Sequence, residues 1–436
     1  MRLRVGVCLV CLVLLTVFWW PRPAPRPSVA DLPLETALPQ HPQIRVWMNQ
    51  SHAARYEDYR GMRRYGDDLE AKLIEEIDRA RSTLDAAVHE LDLPAVARAL
   101  AAAHGRGVRV RVLREGDYRH DFARVIDPAR LPATARARYD RWLRFVDADG
   151  DGKTSLAELE TRDAEWILAH SGIPSRDDGG SGTMHHKFLV IDTQRVVTGS
   201  VNFTLSDMHG DPDDERTLGN VNHLLAIDSR ELAAAYTEEF ALLWGGRTGR
   251  DKPVRPLRTV MVGDARVGVL FGPQSGIDAL IAEQLARAQR RIDFALFVFS
   301  DPSLAAAVGR AAGRGVQVRG VLDPGFAYRP YSASFDLWGL RRCSGSPAVL
   351  TRGVGIARLP RHDKLHHKFA LVDGRTVLTG SHNWSSAAEE RNDENFLAIT
   401  HPAVSAHFAG EFARLHARAL LGPPRRRPEN LPCRGA

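Results

Sequence analysis

The sequence predicts an α/β protein of two similar lobes, in which helices flank mixed sheets and a pseudo-twofold axis relates the lobes. One observation is a repeat, because the order helix, strand, helix, strand occurs in residues 65–245 and again in 275–415. Another is the matching turn before the last strand of each copy, Gly105-Arg-Gly107 and Gly313-Arg-Gly315. Strand–helix–strand units bury a sheet under helices, so their recurrence predicts two covered sheets.

Hydrophobic periodicity places the elements of each copy. Apolar residues recur every three or four positions in the helices and form short runs in the strands. The first copy has a helix, a strand, a helix and a strand at residues 69–80, 84–88, 97–101 and 108–113. The second copy has the same elements at residues 277–288, 292–299, from 303 onward and at 316–322.

The N-terminal segment has the composition of an export signal. Arg2 and Arg4 precede an apolar run over residues 5–20, which is short for a membrane span. Ser28-Val29-Ala30 offers small residues for cleavage. We therefore expect residues 1–30 to be a signal peptide or a signal anchor. The protein would then be periplasmic, extracellular or held by this segment.

The segments outside the two copies are rich in proline. Residues 31–64 predict a tether and lead-in, and residues 416–436 predict a basic tail. Two of the four cysteines lie in the export segment, and the remaining pair is Cys343 and Cys433. In an oxidising compartment this pair either forms a disulfide or stays as two free thiols.

The composition is that of a globular protein with a mild positive charge. Apolar residues make up 44% and charged residues 26% of the chain, the net charge is +6 and the pI is about 9.3. This charge suits an anionic partner, whether a phospholipid surface, a nucleic acid or a phosphoester, without choosing among them. We expect a monomer.

An insertion distinguishes the first copy from the second. From Gly107 to His185 there are 78 positions, and from Gly315 to His366 there are 51. The roughly 27 extra residues fall at about 138–168 and include a match to the twelve-position EF-hand calcium loop. The ligands that this pattern predicts are oxygen atoms of Asp147, Asp149, Asp151, Lys153, Ser155 and Glu158. We expect a structural Ca²⁺ site, with a solvated acidic turn as the alternative.

The chemistry lies in a motif, H-x-K-x4-D-x6-G-S-x-N, that occurs once in each copy. The first match consists of His185, Lys187, Asp192, Ser200 and Asn202. The second match consists of His366, Lys368, Asp373, Ser381 and Asn383. Six fixed residue types at about 5% usage make one match on the order of a 10⁻⁸ event per position. Two matches at equivalent points of a repeat are therefore not a chance result.

This set of side chains suits phosphodiester cleavage without a metal or other cofactor in the reaction. Lysine and asparagine side chains, with the serines, would hold the phosphate oxygens and stabilise the transition state. One imidazole would attack phosphorus and form a phosphohistidine. The opposite imidazole would protonate the leaving oxygen and then deprotonate water. This chemistry requires both motifs to meet in one pocket.

The duplicated motif resembles the phospholipase D superfamily, also called the HKD family. The resemblance covers roughly residues 65–245 and 275–415 and leaves out the calcium loop. It implies two phospholipase D-like lobes with one shared active site. It further implies His185 as nucleophile and His366 as general acid and base, by analogy, with the reverse assignment as the alternative.

Acidic residues downstream of the motif orient the histidines in that family. The resemblance suggests Glu394 for this role in the second half, where the first half has Asn222 at the equivalent point. The half-sites are therefore unequal. The orienting partner of His185 is left open, with Asp192 or Asp373 as candidates.

Three functions remain in competition. The leading one is a phosphoric diester hydrolase of phospholipase D type that acts on phospholipid head groups at a membrane surface. An endonuclease of the same superfamily is the runner-up, although no dense stripe of lysine and arginine favours it. A calcium-dependent binding module without turnover is the third. A zinc site built from the two His-His pairs lacks the usual cysteine or carboxylate ligands.

Overall fold

A computed structural model describes residues 33–179, 182–212, 214–340 and 351–423. The predicted export segment, Cys343, Cys433 and most of the predicted tail lie outside the described residues. The residues from Leu34 onward form one compact unit. Within the described ranges, no helix combines the length and the apolarity that crossing a membrane requires.

The first lobe is built on one large sheet and a small two-stranded sheet. Its strands are β1 (Ile44–Met48), β2 (Arg55–Glu57), β3 (Arg63–Tyr65), β4 (Thr83–Val88), β5 (Arg109–Arg114), β6 (Ser175–Asp177), β7 (Lys187–Ile191), β8 (Arg195–Gly199) and β9 (His223–Asp228). Its helices are α1 (Leu69–Asp78), α2 (Pro94–Gly105), α3 (Ala133–Val146), α4 (Leu156–Arg162), α5 (Ala164–His170), α6 (Leu205–Met208) and α7 (Arg230–Trp244).

The second lobe has its own large sheet. Its strands are β10 (Arg258–Val262), β11 (Ala265–Phe271), β12 (Arg291–Leu296), β13 (Gln317–Leu322), β14 (Val354–Ile356), β15 (Lys368–Val372), β16 (Thr376–Gly380), β17 (Asn395–Thr400) and β18 (Leu420–Leu421). Its helices are α8 (Ile277–Arg287), α9 (Pro302–Gly313), α10 (Pro324–Ala327), α11 (Ser334–Leu337), α12 (Ser386–Glu390) and α13 (Pro402–Arg418). Short 3-10 turns lie at Gly116–Tyr118, Phe122–Arg124, Pro128–Arg130 and Gly249–Asp251.

The two sheets have the same central topology. The first has the order β1-β9-β8-β7-β4-β5-β6, and the second has β10-β11-β17-β16-β15-β12-β13-β14-β18. In each, three successive strands are parallel, β4-β5-β6 or β12-β13-β14, and the other neighbouring pairs are antiparallel. The predicted fold class, two similar α/β lobes with helices on mixed sheets, is confirmed.

The motif strands lie in the middle of their sheets. All five residues of β7 and all five of β15 are buried. An apolar run without alternation is the pattern of a strand covered on both faces, so the burial follows from the sequence. The lysine of each motif begins its strand, and the histidine two residues earlier lies just before the strand.

One hydrophobic cluster joins the two lobes. It contains Phe188 and Tyr236 from the first lobe with Phe369 and Phe408 from the second, all fully buried. Two further clusters each belong to one lobe. The lobes therefore pack through apolar side chains of their sheets and of α7 and α13, and this packing brings the motif ends of the two sheets together.

Two stretches differ from the predicted boundaries. Residues 44–48, in the predicted lead-in, form β1 and pair with β9 in the sheet. The final helix extends to Arg418, inside the predicted tail. In β1 the apolar residues are buried, and this burial overrides the proline content of the surrounding sequence.

Candidate active site

The two histidine segments are anchored by each other's lobe. The backbone N–H of His185 donates to the carbonyl of Asp393 at 3.0 Å, and that of His366 donates to Val221 at 3.0 Å. Isolated β-bridges pair Met184 with Asp393 and Val221 with Leu365. Each histidine backbone is thus fixed by the opposite lobe.

The side chains follow the same exchange. Nδ1 of His185 lies 2.9 Å from Oε2 of Glu394, which precedes β17 of the second lobe. Nδ1 of His366 lies 3.1 Å from Oδ1 of Asn222, which precedes β9 of the first lobe. The prediction that Glu394 acts within its own half is therefore corrected: each orienting residue serves the histidine of the other lobe.

The motif aspartates do not reach the histidines, so the prediction that Asp192 or Asp373 orients His185 is wrong. The carboxylate of Asp192 accepts backbone N–H groups of residues 81–83 at 2.7–3.2 Å. That of Asp373 accepts those of residues 289–291 at 2.8–3.0 Å. A five-residue strand, about 16 Å long, separates each aspartate from its histidine. Both aspartates tie the start of a neighbouring strand instead.

Asp207 is a further charged group that sequence analysis missed. Its Oδ2 lies 3.2 Å from Nδ1 of His366, and its Oδ1 accepts a hydrogen bond from Asn220. Burial alone would raise its pKa, but the charge of His366 and the hydrogen bonds hold the pKa of Asp207 well below its usual value. The second half has Ala388 at the same offset from the motif asparagine, so a direct comparison of the copies would have singled out Asp207.

The two motif lysines are fully buried in the site. Nζ of Lys187 donates to the carbonyl of His185, and Nζ of Lys368 donates to that of His366, each at 2.8 Å. Burial lowers the pKa of Lys187 to about 8. Burial and the charge of Lys187 hold the pKa of Lys368 well below its usual value. Two desolvated amines close to each other favour an anion between them.

Burial lowers the pKa of both motif histidines. Burial, and next the charge of Lys187, lowers the pKa of His185 well below its usual value. Burial lowers the pKa of His366 to about 3, although Asp207 opposes this effect. Within the described part of the chain, Nε2 of neither ring has a hydrogen-bond partner. Both rings line one cavity of about 660 Å³.

The serines and asparagines of the motifs divide into two kinds. The hydroxyl of Ser200 donates to Asn222 at 2.7 Å, and that of Ser381 donates to Glu394, both away from solvent. The predicted phosphate contact of these hydroxyls is thus corrected, since they position the orienting residues. Asn202 lines the cavity. Oδ1 of Asn383 is buried without a hydrogen-bond partner among the described residues.

The second histidine of each motif is structural. Nε2 of His186 lies 2.8 Å from Glu239 on α7, and Nε2 of His367 lies 3.0 Å from Glu411 on α13. Successive residues of an extended segment face opposite sides, so the rings of His186 and His367 point away from those of His185 and His366. Their carboxylate partners tie the strands to the helices, and the four histidines do not converge on a zinc site.

The segment between β5 and β6, which contains the insertion, forms one wall of the cavity. The sequence did not predict this arrangement. The wall carries aromatic and arginine side chains of one segment between β5 and β6: Tyr118, Phe122, Arg138, Arg141, Trp142, Phe145 and Arg162. The ring of His89 bridges this wall to the site, 4.6 Å from that of Tyr118 and 4.8 Å from that of His185. The second lobe has Phe297 where the first has His89, 4.7 Å from His366.

The predicted calcium loop connects α3 and α4 within this insertion. Carboxylate oxygens of Asp147, Asp149 and Asp151 lie within 4.8 Å of one another. The carboxylate of Glu158 reaches back over the loop and accepts the N–H of Ala148 at 2.6 Å. Glycines with positive φ at positions 150 and 152 allow the tight curvature. This gathering of hard oxygen donors fits Ca²⁺.

Comparison with known proteins agrees with the geometry. The model of the family described as "Cardiolipin synthase, PLD-like domain" matches residues 73–244 and 281–416, more than half of the chain. The chain belongs to this phospholipase D-like family. The fold, the paired motif and the family model together define the chain as a member of the phospholipase D superfamily.

The curated relatives match about a third of this chain and less than two thirds of their own length. A mitochondrial cardiolipin hydrolase of Xenopus tropicalis is 41% identical over 135 residues, 30% of this chain and 57% of that protein. A phospholipase D of Rickettsia bellii is 33% identical over 135 residues, 31% of this chain and 61% of that protein. The structure of a phosphatidylserine synthase of Haemophilus influenzae has the same fold, with a TM-score of 0.54, 15% identity and 90% of both chains covered.

Proposed function

We propose that the protein hydrolyses the head-group phosphodiester of phospholipids through a phosphohistidine intermediate. The observation that carries this proposal is the pair His185 and His366. Each ring has Nδ1 fixed by the opposite lobe and lines the same cavity, beside two buried lysines. A phosphodiester placed between the rings would meet a nucleophile on one side and a proton donor on the other.

In the first step Nε2 of His185 attacks phosphorus as the P–O bond to the leaving alcohol breaks. Glu394 accepts a hydrogen bond from Nδ1–H, keeps that proton on the ring and stabilises the positive charge that develops there. His366, protonated when the anionic substrate is bound, gives its proton to the leaving oxygen. Lys187 and Lys368 stabilise the charge on the non-bridging oxygens.

In the second step water replaces the histidine. His366, now neutral, takes a proton from water as the oxygen bonds to phosphorus and the P–N bond to His185 breaks. The products are a phosphomonoester and a free alcohol, and both rings return to their starting states. The same histidine therefore acts as acid and then as base.

The charges around the rings favour this division of roles. After burial, the largest influence on the pKa of His185 is Lys187, which disfavours a proton and leaves the ring nucleophilic. The corresponding influence on His366 is Asp207, which favours a proton. The reverse assignment would make His185 the acid, beside Lys187, which disfavours a proton on that ring.

The wall of the insertion supports a phospholipid substrate. Aromatic side chains such as Trp142 and Phe145 would contact apolar parts of the substrate, and Arg138 and Arg141 would hold phosphate. The cardiolipin hydrolase and phospholipase D names of the relatives agree with this class. The same aromatic and arginine side chains also suit stacking on single-stranded nucleic acid, so a nuclease is the second candidate.

A substrate panel tests the proposal. The purified protein is incubated with phosphatidylcholine, cardiolipin, single-stranded DNA and duplex DNA, and the products are separated. Release of an alcohol head group and phosphatidic acid supports the proposal, whereas cut DNA with intact lipid supports the nuclease. Calcium-dependent binding to lipid without turnover of any substrate would support the third hypothesis, a binding module without activity.

Two substitutions test the shared site. His185→Ala and His366→Ala are each expected to lower kcat by about 10⁴-fold or more, because the two rings act as one unit. His362→Ala is the control, since this histidine is exposed in the same loop. Quenching in alkaline denaturant, which preserves the acid-labile P–N bond, should trap a phosphorylated His185 in wild type and none in His185→Ala. Label on His366 would establish the reverse assignment.

We further infer that the loop of residues 147–158 binds Ca²⁺ through the oxygens of the predicted ligand set. The ion would neutralise the three aspartates and hold α3 against α4, and it would take no part in the reaction. Since α3 supplies Arg138, Arg141 and Trp142 to the cavity, ordering of the loop would steady the substrate wall.

We also propose that the protein is exported. The support is the sequence of residues 1–30 alone, with its basic start and apolar run. Fractionation of cells that produce the protein, followed by N-terminal sequencing, would reveal whether the segment is removed. A protein recovered only from the cytosol would contradict the proposal.

A further inference from the structure

A second cluster of metal-binding residue types lies in the second lobe, outside the cavity. It consists of Asp278 in the first turn of α8, His382 after β16, and Glu389 on α12. Nε2 of His382 lies 3.8 Å from Oδ1 of Asp278 and 3.8 Å from Oε2 of Glu389. These separations are too long for hydrogen bonds.

Several polar atoms of the cluster lack a hydrogen-bond partner among the described residues, although the carboxylate of Glu389 accepts the backbone N–H groups of Gly276 and Asp278 at 3.2 Å. In the described part of the chain, neither ring nitrogen of His382 has a hydrogen-bond partner, and neither has Oδ1 of Asp278 nor Oγ of Ser275. The side chain of His382 is completely buried. Buried polar groups are nearly always satisfied in folded proteins, so the three such atoms on His382 and Asp278 indicate a group that binds there.

Comparison of the two lobes indicates that packing does not require this histidine. The first lobe has Val201, fully buried, at the position of His382 between the motif serine and asparagine. It has Glu70 at the position of Asp278, and Glu70 is paired with His209 at 2.7 Å. The carboxylate at this position of the first lobe is thus paired with a histidine. In the second lobe the carboxylate and the histidine lie near each other but are too far apart for a hydrogen bond.

The charge of the cluster also calls for a cation. Among the ion pairs of the described residues, His382 is the one basic side chain within 4 Å of the carboxylate of Asp278 or of Glu389. The charges that act on the carboxylate of Asp278 are those of Asp301 and Glu389. Asp301 belongs to this negative region through its place at the N-terminus of α9.

We propose that Asp278, His382 and Glu389 bind a divalent transition-metal ion, Zn²⁺ or Mn²⁺. One imidazole nitrogen with two carboxylate oxygens is a ligand set for such ions, and a nitrogen ligand disfavours Ca²⁺. Ligand atoms about 2.0–2.2 Å from an ion lie at most about 4.4 Å apart, so separations of 3.8 Å fit. Water completes the coordination at the half-exposed side of Glu389.

The role of the ion is structural. His382 stands between Ser381, which holds Glu394, and Asn383 of the motif. An ion that joins His382 to α8 and α12 fixes the segment from Ser381 to Asn383 on the side away from the cavity. The proposal does not depend on the substrate, because the ligands do not line the cavity.

Metal binding tests the proposal directly. The purified protein is stripped with a chelator, returned to excess Ca²⁺ so that the loop of residues 147–158 is saturated, and titrated with Zn²⁺ or with Mn²⁺. Wild type should bind one equivalent of at least one of these ions and melt at a higher temperature with it. His382→Val, which installs the residue of the first lobe, should weaken binding by about 100-fold or more.

Two further variants complete the test. Glu389→Gln should lose the bound equivalent, whereas Glu390→Gln, an exposed neighbour, should retain it. If His382→Val does not fold, Asp278→Asn replaces it, with the same expected loss. Equal binding in wild type and in the ligand variants, or no binding of either ion by wild type, would overturn the proposal.

Discussion

At the scale of single residues, the two histidines differ in the groups behind them. His185 has a glutamate at Nδ1, while His366 has an asparagine and an aspartate. Asn222 keeps the hydrogen bond of the glutamate it replaces without its charge, and Asp207 supplies that charge from α6. The site therefore has two carboxylates, one per histidine. They do not occupy equivalent positions of the repeat, because Asn222 stands opposite Glu394 and Ala388 stands opposite Asp207.

Asp207→Asn should change the pH profile. Asp207 favours the protonated form of His366, so its loss lowers the pKa of that ring in the substrate complex. The alkaline limb of kcat then moves to lower pH, and kcat near neutral pH falls by about 10²-fold. The measurement is kcat from pH 5 to 9, and an unmoved alkaline limb would contradict the proposed role.

Asp192→Asn is the matched comparison from the motif itself. Its carboxylate holds the start of β4 and lies a strand length away from the cavity. Weakening these hydrogen bonds should cost about 1–2 kcal/mol and lower the Tm by a few degrees. The pH profile should keep its position; a shift like that of Asp207→Asn would place this residue in the reaction.

At the scale of elements, the insertion is the main difference between the lobes. The corresponding part of the second lobe holds only the short helices α10 and α11 among its described residues. In the first lobe, α3 to α5 place a calcium-loop sequence and a substrate wall on one segment. The loop sequence and the cavity wall are therefore joined through one helix, α3.

Calcium should stabilise the protein through this loop. Added Ca²⁺ is expected to raise the Tm of wild type and to leave Glu158→Gln unchanged, because a bidentate carboxylate is lost at position 12. Glu160→Gln, an exposed residue two positions later, is the control and should respond like wild type. Thermal melts with EDTA and with Ca²⁺ give the answer, and equal melts for wild type would exclude the site.

Arg141 should affect substrate binding more than chemistry. It is an exposed wall residue of α3 and is not part of either motif, so Arg141→Ala is expected to raise KM about 5- to 10-fold with kcat within twofold. Arg136→Ala on the same helix, where Arg136 pairs with Asp140 outside the cavity lining, should leave both constants unchanged. A fall in kcat alone would contradict a binding role for the wall.

At the scale of the whole molecule, a buried polar network joins the lobes by symmetry-related contacts. Asn395 donates to Thr198 of the first lobe at 3.1 Å, and His223 lies 2.8 Å from Thr379 of the second. Asn395 and His223 are the first residues of β17 and β9. Each lobe therefore completes the other's interior as well as its half of the active site.

The stability contribution of His186 at this interface should depend on pH. Burial lowers its pKa to about 3 in the folded state, while the unfolded chain binds a proton near pH 6.5. His186 thus lowers the free energy of unfolding of wild type by up to about 1.4 kcal/mol per pH unit as the pH falls below 6.5. This contribution is absent from His186→Gln. The difference in Tm between the two should narrow from pH 8 to pH 5; a widening difference would contradict this sign.

The sequence by itself determined the two α/β lobes, the buried motif strands and the identity of the two histidines and two lysines. Periodicity, repetition and spacing are local properties, so these features are visible along the chain. The position of the loop of residues 147–158 between two helices was likewise predictable, because its glycines and carboxylates occupy fixed offsets.

Only the tertiary structure decided which groups serve which histidine. Glu394 and Asn222 cross to the opposite lobe, Asp207 joins from α6, and Asp192 and Asp373 are carried away by their strands. It also placed the insertion against the cavity. These are contacts between residues far apart in the chain, set by how two buried apolar faces pack, and no local pattern encodes that packing.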